Sequence, residues 1–334
     1  MQSVAKHLYL DTNSFPAIEL RWAVKMLRCA LHERIFLKKP TPPLPNAVPE
    51  LPEVETYRRF INELAVGQTI AAFQVNDAHV LAMPEAELRA GLVGRTITGT
   101  SRLGKNCFVE LDNGQVLVLH FGMTGDIGAY RDEPDAPRFT RVALHLADSG
   151  LRLAFIDPRK FGRIRLAESA AAHQKAKKIG PDALAITAAE LHQKLSRRKT
   201  LLKPLLLDQG LTAGLGNWIV DEVLFQAKIH PERLGVSLSE KEVEALHAAI
   251  QLVLTTAISH EANYRHFPKS FLIHAREWDD SATPGSDAHT YCPRHPKVKI
   301  EKYYVGGRAT YVCPKCQPMP DSARVEVAGK HENA

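Results

Sequence analysis

Cys292-x2-His295, 17 residues, then Cys313-x2-Cys316 is the pattern that leaves this chain the fewest ways to fold. The two short-spaced pairs bracket "VKIEKYYVGGRATYVC", which reads as a hairpin turning at Gly306-Gly307. Four protein ligands close a tetrahedron around zinc and leave no position for substrate or water, so one structural zinc per chain is expected. His289 lies near enough in sequence to compete with His295 for its place. The same segment carries Arg294, Lys297, Lys299, Lys302, Arg308 and Lys315 against Glu301 alone, a surface suited to phosphate.

The rest of the chain divides by hydrophobic period. In "PEVETYRRFINEL", Val54, Tyr57, Ile61 and Leu64 share one helical face, while Arg58, Arg59 and Glu63 stay wet. Two hairpins follow, "CFVELDNGQVLVLHF" turning at Asn113-Gly114 and "VALHLADSGLRLAFI" turning at Ser149-Gly150, which predicts an antiparallel sheet. Beyond Ile179 the period becomes helical, with capping boxes at Thr187/Glu190 and Ser239/Glu242. The fold class is α+β: an antiparallel sheet with an amphipathic helix in front, then a helical domain and a zinc hairpin. Expected boundaries are 1–48 for an extension, 49–165, a linker at 166–180, 181–288, 289–317 for the finger and a tail at 318–334. Residues 1–47 end in "KKPTPPLPNA"; their one helical candidate, "IELRWAVKMLRCALHERIFL", has no evident partner.

Composition narrows the function classes. The net charge of +6 and pI near 9.0 suit a polyanionic partner. No apolar run of about 18 residues is present, so no membrane partner is expected. Cys29 and Cys107 stand alone and the other three cysteines cluster, which points to metal spacing in a reducing compartment rather than to disulfides. In "KPLLLDQGLTAGLGNWIVDEVLFQAKIHPE", Gly214 and Gly216 precede a helix opening near Asn217. Glycines there admit an anion to the helix N-terminus, and a DNA phosphate would suit the place. The preceding "KLSRRKTLLK" carries no acid.

In order along residues 49–317, "PELPEVET", "HFGMTG", "DPRKFG", "GLGNW" and the terminal finger resemble the signatures of the formamidopyrimidine-DNA glycosylase and endonuclease VIII family, closest to the first branch. The resemblance implies a β-sandwich joined to a helix-two-turn-helix domain and a zinc hairpin. It also implies a monomeric base-excision enzyme acting on damaged double-stranded DNA, in the cytoplasm at the nucleoid if bacterial and in the nucleus if eukaryotic. The family's proline is the first residue of the mature chain, and its amine attacks C1′ of the damaged nucleoside. An amide nitrogen has its lone pair in resonance with the carbonyl, so Pro49 needs a free terminus. Val48 stands where the family has its initiator methionine, and valine is what a GTG start codon becomes. Residues 1–48 are therefore expected to be a mis-assigned start or to be removed.

Carried over residue by residue, Pro49 is the nucleophile, Glu50 the general acid and base, and Lys105 and Arg308 the cations at the reacting nucleotide. Met123 and Phe161 are wedges that fill the gap left by an everted base, and Arg159 meets the orphaned partner base. Lys203 and Asn217 complete the phosphate grip, and Cys292, His295, Cys313 and Cys316 hold the zinc. Three features depart from the pattern: His295 stands for a cysteine, Trp218 for an aliphatic residue, and "NYRHFPKSFLIHAREW" differs from the loop that caps the base in well-known bacterial members. Oxidised purines and their hydantoin products both fit. Two other readings are a non-catalytic binder of damaged DNA with a blocked amine and a generic nucleic-acid module. The "PELPEVET" stretch has no role in the latter.

Overall fold

A computed structural model of the protein describes residues 48–276 and 291–319. The helical candidate at 18–37, His289 and most of the expected tail lie outside them.

Helix α1 (Leu51–Ala65) is the amphipathic helix expected, with a proline in its first turn and Leu51, Val54, Tyr57, Ile61 and Leu64 buried. At its entrance the Glu50 N–H donates to Glu53 Oε2 at 3.0 Å, satisfying one of the orphan donors of a helix start. Strand β1 (Ile70–Val75), helix α2 (Glu85–Leu92) and strands β2 (Ile97–Leu103), β3 (Asn106–Leu111), β4 (Val116–His120), β5 (Asp126–Tyr130), β6 (Thr140–Leu146), β7 (Arg152–Ile156) and β8 (Arg163–Ala167) follow. They form two four-stranded antiparallel sheets, ordered β1-β6-β7-β5 and β2-β3-β4-β8. Both expected hairpins are present as β3-β4 and β6-β7, and Gly114 and Gly150 take the positive φ of their turns. Alternation sends Phe73, Leu144 and Phe155 from one sheet against Leu117, Leu119 and Ile164 from the other.

The second half is helical, with α3 (Ala170–Lys177), α4 (Ala188–Leu195), α5 (Leu202–Leu207), α6 (Asn217–Ala227) and α7 (Glu240–Ser259). Helix α3 falls in the stretch expected to be a linker, and Ser169 caps it by accepting from the Ala172 N–H. Both capping boxes are made as read, at the starts of α4 and α7. Leu195, Leu206, Trp218, Val223, Leu246 and Ile250 share one apolar core, and Leu51 of α1 is buried in it. That leucine fastens the start of the sandwich domain to the helical one. Truncating a side chain of Trp218's size in such a core costs about 3–5 kcal/mol.

Strands β9 (Tyr291–Cys292) and β10 (His295–Lys299) pair with each other, as do β11 (Glu301–Val305) and β12 (Arg308–Val312). Gly306 and Gly307 turn the second hairpin at φ 57° and 74°.

Candidate active site and metal centre

The chain brings Glu50 to the N-terminus of α6. Its carboxylate accepts from the Trp218 N–H at 3.1 Å and from the Ile219 N–H at 3.3 Å. A Cβ on Gly216 would lie 2.2 Å from Glu50 Cδ, and one on Gly214, at φ 111°, would lie 2.5 Å from Leu51 Cδ1. The glycines of "GLGNW" therefore serve the close approach of residues 50 and 51. Where a DNA phosphate was expected to suit this helix N-terminus, the protein's own Glu50 carboxylate takes the Trp218 and Ile219 N–H groups.

Pro49 is buried beside this carboxylate. Burial pushes Glu50 up to about 7, against the pull of the Lys105 ammonium and the two N–H donors. Lys105 is held below the ordinary lysine range by its own burial, with Glu50 and Glu53 opposing and Arg308 assisting that shift. The turn carrying Lys105 is fixed from the helical domain: Asp182 accepts from the Gly104 N–H at 2.7 Å and from Arg102 at 2.6 Å. Glu53, also raised by burial, accepts the Tyr264 hydroxyl as well as the Glu50 N–H. Glu50, Lys105 and Arg308 thus belong to one electrostatic neighbourhood, with Pro49 next to Glu50 in the chain.

Met123 and Phe161 are 38% and 46% exposed, and Arg159 is exposed with its guanidinium 4.9 Å from the Phe161 ring centre. Their two loops are tied together by buried Asp157, which accepts from the Thr124 hydroxyl at 2.6 Å, the Arg159 N–H at 3.2 Å and the Gly162 N–H at 2.7 Å. Gly122 packs on the Phe161 backbone, where a Cβ would come within 2.5 Å. Both apolar tips are presented on a braced platform.

Lys203 and Asn217, expected to grip phosphate, both contact the zinc hairpin. The Lys203 ammonium, fully buried, donates to Asp221 Oδ1 and to the Ala309 carbonyl, both at 2.7 Å, and the Asn217 amide donates to the same carbonyl at 3.0 Å. Arg276 donates to the other Asp221 oxygen at 2.8 Å and lies over the Tyr311 ring. These contacts dock the hairpin one residue from Arg308, which is exposed and makes no ion pair among the described residues.

Cys292, His295, Cys313 and Cys316 bring one ligand atom each to within 4.8 Å of one another. His295 Nδ1 lies 3.6, 3.8 and 3.3 Å from the sulfurs of Cys292, Cys313 and Cys316, and the Cys292 and Cys316 sulfurs are 3.8 Å apart. Tetrahedral zinc with bonds of about 2.1–2.3 Å spaces its ligands by roughly 3.5–3.8 Å, so the donor set fits one such ion.

Sequence reasoning passed over Asp157, Asp182, Asp221 and Tyr264. Each acts through partners distant in sequence, and Tyr264 sits inside the stretch read only as a departure. That departure and Trp218 are one unit: the Trp218 ring meets those of Tyr264 and Phe267 at 5.3 and 6.1 Å.

Comparison with known proteins agrees with this geometry. Residues 48–164 match the formamidopyrimidine-DNA glycosylase N-terminal domain, and residues 179–267 match the formamidopyrimidine-DNA glycosylase H2TH domain. A formamidopyrimidine-DNA glycosylase of Arabidopsis thaliana is 35% identical over 289 residues, covering 81% of this chain and 71% of its own. That of Latilactobacillus sakei is 34% identical over 274 residues, covering 81% and 98%. The crystal structure of the Lactococcus lactis glycosylase bound non-covalently to DNA containing an AP site superposes with a TM-score of 0.70 at 30% identity, covering 81% of this chain and all of that one. With matches of this extent in both sequence and structure, the chain belongs to the formamidopyrimidine-DNA glycosylase family.

Proposed function

We propose that the chain, when it begins at Pro49, is a DNA glycosylase and AP lyase of base excision repair. It removes formamidopyrimidines, 8-oxoguanine or hydantoin products of that base from double-stranded DNA and then cuts the abasic strand. The observation that carries this reading is the buried Glu50 carboxylate, pushed up to about 7 next to Pro49 and Lys105. A group with that value exchanges its proton readily at neutral pH, which suits a general acid that must next act as a base.

The chemistry follows from the residues. A free prolyl amine, with a pKa of about 7.7–8.0, keeps a useful unprotonated fraction at neutral pH. Its lone pair forms the bond to C1′ as the glycosidic electron pair leaves with the base, and the proton released from the prolyl nitrogen goes to the departing base. Glu50 gives its proton to O4′ as the sugar ring opens, leaving an iminium between Pro49 and C1′. The Glu50 carboxylate then accepts the C2′ proton as the 3′ phosphate departs, and a second elimination releases the 5′ phosphate. Lys105 and Arg308 balance phosphate charge near the lesion. Met123, Phe161 and Arg159, on their braced loops, occupy the place of the everted nucleotide. With Val48 attached, the Pro49 nitrogen is an amide and the first step cannot occur. The N-terminal domain match beginning at residue 48 supports a functional start at Pro49.

Zinc at Cys292, His295, Cys313 and Cys316 would crosslink the hairpin that carries Arg308 and supply no reacting group. The test is strand incision by the chain starting at Pro49 on duplexes bearing single oxidised bases. Cleavage at the lesion with phosphate on both flanking ends supports β,δ-elimination, whereas lesion binding without cleavage supports a damage-binding protein.

A further inference from the structure

The segment that departs from the family pattern, residues 263–276, is folded onto the reaction centre. Just before it, Glu261 and Ala262 take the left-handed backbone at φ 52° and 55°, which a non-glycine residue adopts only where the surrounding structure enforces it. The bend delivers Tyr264 into the core, where its buried ring stands edge-on to those of Trp218 and Phe267 at 5.3 and 5.4 Å. The far end is fastened too, since the Leu272 and Ile273 N–H groups donate to buried Glu222 at 3.0 and 2.8 Å. What the bend gains is a polar chain. The Tyr264 hydroxyl donates to Glu53 Oε1, and Glu53 Oε2 accepts the Glu50 N–H at 3.0 Å. That N–H belongs to the peptide between Pro49 and Glu50, so one buried carboxylate spans from the tyrosine to the backbone that carries the prolyl nitrogen.

We propose that Tyr264 is a positioning residue for base excision, acting through Glu53 to orient the Pro49–Glu50 peptide and to keep Glu53 an anion beside Glu50. The inference rests on the glycosylase reading above. The charged and titratable groups around the two glutamates are Lys105, Lys203, Tyr57 and Tyr264, with Asp126 beside Tyr57 and Arg308 beside Lys105. Burial pushes both carboxyls up, and the Tyr264 hydroxyl, the Glu50 N–H and Lys105 pull Glu53 back. A hydroxyl that donates to a carboxylate favours its charged form, and a charged Glu53 favours the protonated form of Glu50. Two carboxyls whose surroundings push their values apart divide the roles of proton donor and fixed anion.

The test is single-turnover excision by the chain starting at Pro49, on duplexes carrying one 8-oxoguanine or one of its hydantoin products, across about pH 6–9. Tyr264→Phe keeps the ring packing and removes only the hydroxyl. Because the productive state needs a neutral Pro49 amine and a protonated Glu50, a lower value for Glu50 moves the acid limb of the profile down and lowers its maximum by the same factor, about tenfold per pH unit. Tyr264→Phe should move that limb down by about half to one pH unit and cut the maximum by about three- to tenfold. Glu53→Gln should move it at least as far, and adding Tyr264→Phe to Glu53→Gln should shift it no further. A Tyr264→Phe chain with the parent's profile overturns the proposal, and so does one that is slowed with both limbs unmoved, which is a packing defect alone. A second readout needs no activity: carbon-13 titration of the glutamate carboxyls should show the Glu50 signal titrating at about 7 in the parent and lower in Tyr264→Phe. An unmoved titration overturns the link from Tyr264 through Glu53. A parent that excises neither base but shows that titration difference overturns the glycosylase reading and leaves the link supported.

Discussion

The Glu50 carboxylate caps helix α6 through the Trp218 N–H at 3.1 Å, so the proposed acid of the reaction also makes one of the bonds that join the two domains. One side chain thereby has a fixed direction and a raised pKa, both consequences of leaving water for a helix N-terminus. Two predictions follow from that double duty.

The first concerns pH. The productive state needs Glu50 protonated, with its value near 7, and the Pro49 amine neutral, with an ordinary value of about 7.7–8.0. Base excision should give a bell with its maximum between about pH 7 and 8. Glu50→Gln should lower the single-turnover rate by about 10²–10⁴ while duplex affinity holds. Stability has the opposite logic to that of a salt-bridged acid. Because the folded value exceeds the ordinary 4.5, this group's contribution is complete below 4.5 and is lost as pH rises through 7. Over that window the parent should lose about 3 kcal/mol relative to Glu50→Gln, read from denaturant melts at several pH values.

The second concerns Gly216. In Gly216→Ala the new methyl must displace the Glu50 carboxyl, since no backbone conformation special to glycine is needed at that residue. Incision should fall by about as much as in Glu50→Gln, and the pKa of the Glu50 carboxyl should drop towards the ordinary range as water reaches it. An active Gly216→Ala with an unchanged pH profile would contradict the placement of Glu50.

Asp157 should matter more than its distance from the chemistry suggests. Asp157→Ala removes three hydrogen bonds that brace the loops of Met123 and Phe161. Losing bonds to a buried charge of this kind costs about 3 kcal/mol of stability in total. At a temperature where the variant is folded, discrimination between lesion and undamaged duplex should fall at least tenfold, checked by competition binding.

How much of this was legible in the sequence varies by physical cause. The hairpins at Asn113-Gly114, Ser149-Gly150 and Gly306-Gly307 and the two capping boxes were legible, because turn chemistry and helix caps are local. The ligand set was legible for the same reason. What the glycines of "GLGNW" accommodate was not, because Glu50 arrives from 166 residues upstream of Gly216. The buried position of Lys203 was hidden likewise: a basic run reads as a wet face until Asp221 and the Ala309 carbonyl are seen to take its ammonium. The departures at Trp218 and residues 263–276 looked independent in sequence and are one aromatic cluster in space.

Metal removal should loosen the hairpin from the helical domain. Metal analysis should find one zinc per chain, and Cys316→Ser or chelation should release it. The Ala309 carbonyl then leaves Lys203 and Asn217, Arg308 loses its aim, and incision should be abolished while the β-sheet signal in circular dichroism persists. Full metal retention by Cys316→Ser would remove Cys316 from the ligand set.

The most direct measurement is borohydride trapping on a lesion duplex, run in parallel with the 334-residue chain and with the chain starting at Pro49, followed by sequencing of the adduct. The account predicts a covalent DNA adduct through the nitrogen of Pro49 for the shorter chain and none for a chain that keeps Val48. Trapping of the uncleaved 334-residue chain, or an adduct on any other residue, would contradict it.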